Sequence, residues 1–229
     1  MINIRTLCYC VIALSVAPAA RATLIFGTSA TIPLPFNGTV SDGDMQFQRP
    51  FGIEFTAASG LDYVLTGMAV PLENIYYPPS ASVTFSVFTA VPRTTLNGNG
   101  TEEPGDILDS TTFSILYKTN VGSGGGFEIY SPSFAGGAIL RGGTKYYLIG
   151  RMNDSGGTTQ MGWASTLGSA STMAVKVDGT PWSVFLTTLF RPEAQVFGDA
   201  FAPEPATMGC VALGLLLAAR FRRKSILRG

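Results

Sequence analysis

Short runs of β-branched and aromatic residues, separated by glycine and other turn residues, fill the central part of the chain. In the clearest run, 81–90, Val83 and Phe85 alternate with Thr84 and Ser86, the pattern of a strand with one buried face. No long stretch repeats its apolar residues at the spacing of a helix. The pattern predicts an all-β fold, a β-sandwich or jelly roll of about ten short strands. The predicted strands are 46–55, 63–70, 81–90, 107–114, 127–131, 144–151, 159–165, 173–177, 182–186 and 194–197.

Glycine-rich segments separate several of these runs, at 98–105, 122–126 and 136–143. Strand patterning resumes on both sides of each segment, which predicts loops within one domain rather than linkers between domains. The chain has 229 residues, enough for one such domain with a substantial core. We therefore assign residues 23–202 to a single β-sandwich domain.

Histidine is absent from the chain, and the three cysteines, Cys8, Cys10 and Cys210, lie near its ends. The domain over 23–202 therefore contains no thiolate metal site, disulfide framework or cysteine nucleophile. No G-x-S-x-G motif is present, and a serine nucleophile would lack its usual histidine base. The sequence predicts no catalytic residue, no enzymatic activity and no cofactor.

The charge of the chain is unevenly distributed. Its formal net charge is zero, but residues 23–202 contain 14 acidic and 8 basic side chains, a net charge of −6. Because nucleic-acid binding depends on Lys and Arg contacts to phosphates, this balance argues against a nucleic-acid partner.

The N-terminal segment has the order of a secretory signal peptide. Arg5 provides the positive charge, 7–17 is apolar, and Ala20 and Ala22 occupy the small positions of an A-x-A cleavage site. The pattern predicts a signal helix over 1–22 that engages the secretion translocon and is cleaved by signal peptidase.

The C-terminal segment has three consecutive parts. Pro203, Glu204 and Pro205 precede an apolar stretch, 206–219, and a basic tail, 220–229. The charged cluster of the tail consists of Arg220, Arg222, Arg223 and Lys224. A helix over the apolar stretch would be about 21 Å long, short for a hydrocarbon core of about 30 Å. We predict a C-terminal transmembrane helix with the basic cluster in the cytoplasm and the β domain outside.

These three parts closely resemble the PEP-CTERM sorting signal of Gram-negative bacteria, over residues 203–224. The resemblance implies an inner-membrane-anchored precursor that an exosortase processes on its way to the cell surface or extracellular matrix. Ala206 departs from the Ser or Thr that commonly follows the motif, and Cys210 interrupts the apolar stretch. A tail anchor that is never processed is the alternative interpretation.

The central region is similar to the choice-of-anchor R domain of bacterial surface proteins. The resemblance implies a β-sandwich ectodomain without an activity that can be assigned to particular residues. It rests on the blocks 85–88 (FSVF), 103–110 (EPGDILDS), 140–148 (LRGGTKYYL), 162–163 (GW), 178–182 (DGTPW) and 194–198 (AQVFG).

Aromatic residues provide the candidate ligand contacts. Tyr76 and Tyr77 precede two prolines and are predicted at an exposed loop tip, where aromatic rings can pack against sugars. Core packing is the alternative for the remaining aromatics of the group, Trp163, Trp182, Tyr146 and Tyr147. If Tyr146 and Tyr147 lie on a strand, they face opposite sides, so at most one is expected in the core.

Acidic residues form two candidate calcium sites, at 42–44 and at 102–109. In the second, predicted to be a loop, the candidate ligands are Asp106 and Asp109, with Glu102 and Glu103 beside them. Calcium requires six to eight oxygen ligands, and neither cluster alone has the ligand order of an EF-hand. Asp and Gly also suit tight turns without a metal. We assign no metal to the domain.

Three functions are compatible with the sequence. The first is an exported, non-enzymatic surface or matrix protein that associates with extracellular polysaccharide. The second is a lectin-like carbohydrate-binding module, with or without calcium. The third is a hydrolase whose carboxylate pair is assembled only in the folded protein, from residues such as Glu54, Glu128 and Asp178.

Overall fold

Alternating apolar and polar residues form an all-β structure, seen in a computed structural model. The structure describes residues 22–28, 43–45, 49–74, 80–94, 98–116, 127–153, 161–167, 170–176, 179–188 and 190–201. In this part of the chain there are fifteen strands and no helix. The predicted all-β class is therefore confirmed. The strands are β1 (Thr23–Gly27), β2 (Gly43–Met45), β3 (Phe51–Thr56), β4 (Asp62–Asn74), β5 (Ser80–Pro92), β6 (Glu102–Leu116), β7 (Glu128–Tyr130), β8 (Ile139–Leu140), β9 (Lys145–Met152), β10 (Met161–Trp163), β11 (Ser165–Leu167), β12 (Ser171–Val175), β13 (Ser183–Thr187), β14 (Phe190–Pro192) and β15 (Gln195–Phe201).

Six strands form the sheet that we call the front sheet, in the order β13-β12-β3-β9-β5-β6. All of its neighbouring strands are antiparallel. The hairpin of β5 and β6 is long, with paired residues from Ser80 and Leu116 at one end to Pro92 and Glu102 at the other. Strands β6 and β13 are the two edges of this sheet.

Seven strands form the back sheet, which is organised around β4. Along one edge β4 pairs first with β15 and then with β10, and along its other edge it pairs with β8 and β7. Strand β1 lies outside β15, and β2 lies outside β10. The short strands β11 and β14 form a separate two-stranded sheet.

The hydrophobic core lies between the front and back sheets. Trp163, fully buried on the back sheet, packs against Phe85 and Phe51 of the front sheet, with ring centroids 5.1 and 5.4 Å apart. Its indole Nε1 donates a 2.7 Å hydrogen bond to the carbonyl of Glu193, which satisfies the polar atom of this large side chain. Two further aromatic contacts, Phe26–Phe55 and Phe113–Tyr130, join the two sheets elsewhere. The fold is thus a β-sandwich.

A second, smaller apolar cluster covers the outer surface of the front sheet. It contains Tyr147, Ile149, Ala174 and Val184, with Phe88, Ala90 and Trp182 packed against it. Tyr146 belongs to the main core, while Tyr147 belongs to this second cluster, and both are buried. The two tyrosines thus face opposite sides of β9, as predicted, and only Tyr146 lies in the main core; Tyr147 is also buried because the outer face of β9 is covered as well.

Each of the ten predicted strands overlaps an observed strand, whereas β1, β2, β8 and β14 were not predicted. Two loop predictions were wrong, and the first concerns the acidic segment 102–109, which lies within β6. Pro104 is tolerated there because β6 is an edge strand, whose outward side needs no amide donor. Strand β8 likewise lies inside the segment 136–143, which was predicted to be a loop.

Residues 1–21 and 206–219 of the predicted terminal helices fall outside the described residues, as do Ala20 of the cleavage site and the sorting residues from Pro203 to Lys224, while Ala22 is the first described residue and is exposed. Within the ranges that the structure describes, no helix has the length and apolar character needed to cross a membrane.

Candidate functional site

The outer surface of the front sheet carries an open groove. The connection between β5 and β6 reaches β13 at the opposite edge of the sheet, where the Gly100 amide donates to the carbonyl of Val184 at 3.1 Å. The Leu186 amide also donates to the Asn99 side chain at 2.7 Å. These contacts close one end of the outer surface over the second apolar cluster. The remainder is a groove of about 750 Å³, within the range of about 300–1,000 Å³ typical of ligand sites.

An aromatic wall bounds the groove at its closed end. Trp182 is half-buried and meets Phe88 edge to face, with ring centroids 5.9 Å apart at an interplanar angle of 78°. The Lys176 ammonium lies 5.4 Å from the centre of the Trp182 ring. A cation at this distance is attracted to the ring face. These two contacts hold the indole in a defined orientation, with part of its surface in the groove.

Hydroxyl groups on β5 and β6 and the Asn153 amide just after β9 form the floor of the groove. The Ser86 and Ser110 hydroxyls are hydrogen-bonded at 2.8 Å, and the Thr84 hydroxyl bonds that of Thr112 at 2.7 Å. The Asn153 amide donates to Thr84 Oγ1 at 2.9 Å. Each hydroxyl has one donor and two acceptor positions. The floor therefore keeps hydrogen-bonding capacity for a polar ligand.

Among the described residues that line the groove, the charged ones are Arg151, Lys176 and Asp106. Arg151 and Asp106 are exposed, while Lys176 is half-buried beside Trp182. These described residues therefore carry a charge of +1, opposite in sign to the net −6 of residues 23–202.

A charged cluster lies further along the same sheet surface. Lys145 Nζ bridges the carboxylates of Glu54 and Glu102, at 3.1 and 3.0 Å. The Tyr147 hydroxyl lies 3.2 Å from Glu54 Oε2 and 2.9 Å from the Glu102 carbonyl. The hydrogen bond to Glu102, followed by that to Glu54, raises the pKa of Lys145 above 10.5. Burial, and then the Glu54 charge, raises the pKa of Tyr147 above 10.0. The cluster fixes β3, β6 and β9 together at neutral pH.

The groove occupies the half of the front sheet that is distant from the end of β15. Phe201, the last residue of β15, pairs with Asp62 at the start of β4, which a short turn joins to the end of β3 at Thr56. The groove instead lies near Pro50, before β3, and Asn153, after β9. Phe201, which directly precedes the C-terminal segment, therefore lies at the end of the domain opposite the groove.

The acidic residues of the predicted calcium site at 102–109 contact different partners. The Asp109 carboxylate accepts hydrogen bonds from the Ser110 amide at 2.8 Å and the Gly136 amide at 3.0 Å. Glu103 Oε1 accepts from the Thr94 hydroxyl at 2.8 Å, whereas Asp106 faces the groove. In the described ranges, no three His, Cys, Asp or Glu side chains come together as metal ligands.

The structure places the candidate aromatic residues in different environments. Of the candidate aromatics, Trp163, Tyr146 and Tyr147 are buried, while Trp182 lines the groove. Tyr76 and Tyr77, the predicted contacts, lie outside the described residues. Sequence reasoning did not identify Arg151 or Lys176. The sequence did contain one signal for this surface, the apolar run 146–149. Such a run indicates a strand covered on both faces, and it therefore indicates that the outer face of β9 is in contact with other residues.

The comparison with protein families finds one feature, at the C-terminus. The family model of the PEP-CTERM protein-sorting motif matches residues 202–224. The predicted sorting signal is thereby confirmed, and it implies exosortase-dependent sorting of a membrane-anchored precursor to the cell surface. No curated protein matches the chain. The resemblance of the central region to the choice-of-anchor R domain stays a prediction.

Proposed function

We propose that the chain is an exported, non-enzymatic surface protein of a Gram-negative bacterium, whose β-sandwich is a binding domain and whose tail is an exosortase sorting signal. The observation that carries the proposal is the PEP-CTERM match at residues 202–224. A cleavable signal peptide over 1–22 brings the domain across the inner membrane, and the apolar stretch 206–219 holds the precursor there. The exosortase then acts at the motif and releases the domain to the surface or extracellular matrix.

The boundary between domain and motif supports this order of events. Strand β15 ends at Phe201, and the motif match begins at residue 202. Cleavage within or after the motif would therefore leave every described strand in the released product. The absence of histidine from the chain and of cysteine from residues 23–202 supports a non-enzymatic role.

The role of the motif can be tested with charge-matched variants in the host. We expect Glu204→Gln to leave the unprocessed precursor in the inner membrane because the acidic residue of the Pro-Glu-Pro motif is lost. Asp199→Asn is the control, since it removes a nearby negative charge outside the matched residues. The measurement is the distribution of the protein between inner membrane and cell surface, by fractionation and immunoblot. Normal sorting of the Glu204→Gln protein would contradict the proposal.

A second candidate function, carbohydrate binding, is favoured by the groove. Sugar rings present both apolar faces and hydroxyl groups, and the groove provides Trp182 beside a floor of serine, threonine and asparagine side chains. The groove also lies at the end of the domain away from Phe201, so an attachment through the tail would leave it accessible. The preferred contact with a sugar is then Trp182 on the front sheet, in place of the sequence-predicted Tyr76 and Tyr77.

A further inference from the structure

We propose that the groove binds an acidic polysaccharide, one whose sugar rings carry carboxylates, with Arg151 and Lys176 pairing the carboxylates and Trp182 packing against a ring. The inference rests on the proposed carbohydrate-binding function and specifies the chemical class of its ligand. It is carried by the charge of the groove, the orientation of Trp182 and the composition of the floor.

The charge of the groove is the first argument. Residues 23–202 have a net charge of −6, so most of the domain surface repels a polyanion. In the described lining of the groove, two basic side chains, Arg151 and Lys176, accompany one acidic side chain, Asp106. A guanidinium and an ammonium are the groups that bind carboxylates most strongly. The groove therefore attracts a polyanion that other surfaces of the domain repel, and this local sign provides selectivity.

The position of Lys176 relative to Trp182 is the second argument. The Lys176 ammonium lies 5.4 Å from the ring centre, and the edge-to-face contact with Phe88 restrains the indole. A sugar ring packed on the exposed part of Trp182 would have its substituents next to this ammonium. A carboxylate on the ring would then pair with Lys176, a contact that a neutral sugar cannot make.

The floor of the groove is the third argument. Ser86 and Ser110 line the groove together with Thr84 and Asn153. These groups can donate to and accept from the hydroxyls of a sugar. A nucleic acid would instead require a series of basic contacts to its phosphates, and the groove has two basic side chains. A carboxylated polysaccharide matches both the charge and the hydroxyl content of the site.

Titration of the full chain in a neutral detergent with polygalacturonate and alginate tests the proposal, with methyl-esterified polygalacturonate, dextran and DNA as comparison ligands. The ester retains the sugar backbone but loses the charge. The chain has two tryptophans, and Trp163 is fully buried. A change in tryptophan emission would therefore report on Trp182. We expect at least one polyuronate to bind about ten-fold or more tightly than the ester, dextran and DNA, and the affinity to fall as salt is added.

Substitutions in the groove test whether the polysaccharide binds there. Arg151→Gln and Lys176→Gln are each expected to weaken binding about ten-fold, the order of one charge-assisted contact. Arg141→Gln, which removes an exposed arginine outside the groove, should leave binding unchanged. Circular dichroism and melting temperature confirm that each variant is folded.

The failures of the two proposals can be distinguished. Equal binding of polygalacturonate, its ester and dextran would overturn the acidic ligand while leaving carbohydrate binding in place. DNA binding as tight as polyuronate binding would overturn recognition of carboxylated sugars. No binding of any polysaccharide would overturn both, and equal affinities of the Arg141 and Arg151 variants would overturn the location of the site.

Discussion

At the scale of single residues, Tyr147 shows how burial and charge act on one side chain. Its ring is fully buried in the second apolar cluster, and its hydroxyl contacts the Glu102 carbonyl and the Glu54 carboxylate. Ionisation of this phenol would place a negative charge near the carboxylates of Glu54 and Glu102, both of which are paired with Lys145. The sequence predicted that Tyr146 and Tyr147 face opposite sides of a strand. It could not show that the outer side is covered, because the covering residues come from β12, β13 and the β5–β6 connection.

The raised pKa values of Tyr147 and Lys145 predict loss of stability in alkali. Unfolded, the two groups titrate near 10.0 and 10.5, and in the folded protein both titrate higher. The folded state therefore retains protons that the unfolded state loses, so stability is complete below about pH 10 and declines as the pH rises further. We expect Tyr147→Phe to cost about 1 kcal/mol at pH 7, for the lost hydrogen bond, and to make the alkaline decline shallower.

Urea unfolding at a series of pH values measures both effects. Tyr63→Phe is the matched control, because Tyr63 is also a buried strand tyrosine but is not part of the Lys145 cluster. If the free energy of unfolding declines equally steeply above about pH 10 in the wild type and in Tyr147→Phe, the decline is not caused by ionisation of Tyr147.

At the scale of elements, β6 shows why a turn-like sequence can form a strand. The segment 102–109 has the Pro-Gly pair of a turn, yet it pairs with β5 along its whole length. Strand β5 has 13 residues and β6 has 15. Two register shifts, near Val87 and near Phe88, accommodate the additional residues of β6. Gly105 lies against the Thr89 and Val91 side chains, where a Cβ atom would not fit. These requirements depend on the partner strand and are not visible in the segment itself.

The connection between β5 and β6 yields a prediction about Gly98. Gly98 has a φ of 101°, and a Cβ atom at this position would overlap the carbonyl of Val184. Gly60 has a similar φ of 106° but open space around it. We expect Gly60→Ala to cost about 1 kcal/mol, for backbone strain alone, and Gly98→Ala to cost at least about 1 kcal/mol more, for the steric overlap.

Urea denaturation of the two glycine variants provides the comparison. Since the Gly98 contact closes the end of the groove near Trp182, Gly98→Ala should also change the tryptophan emission of the folded protein. Equal destabilisation by the two substitutions would show that the contact with β13 does not hold the connection in place.

At the scale of the whole molecule, the last described residue before the sorting motif, Phe201, and the groove lie at opposite ends of the β-sandwich. The sequence was sufficient to predict the β-sandwich, because period-two patterning is local, and to predict the tail, because its three parts are consecutive. The groove was not predictable in this way. Arg151, Lys176 and Trp182 are brought together by strand pairing between segments that are distant in the chain. Their shared site depends on the order of strands in the front sheet, which no local pattern contains.

The most direct test of exosortase sorting is the intact mass of the protein isolated from the surface or matrix of its host. Processing at the motif predicts a mass that lacks residues 1–22 and most or all of 206–229, while every strand from β1 to β15 is retained. A mature protein whose mass still includes Arg228 would contradict processing and would make the tail a permanent anchor.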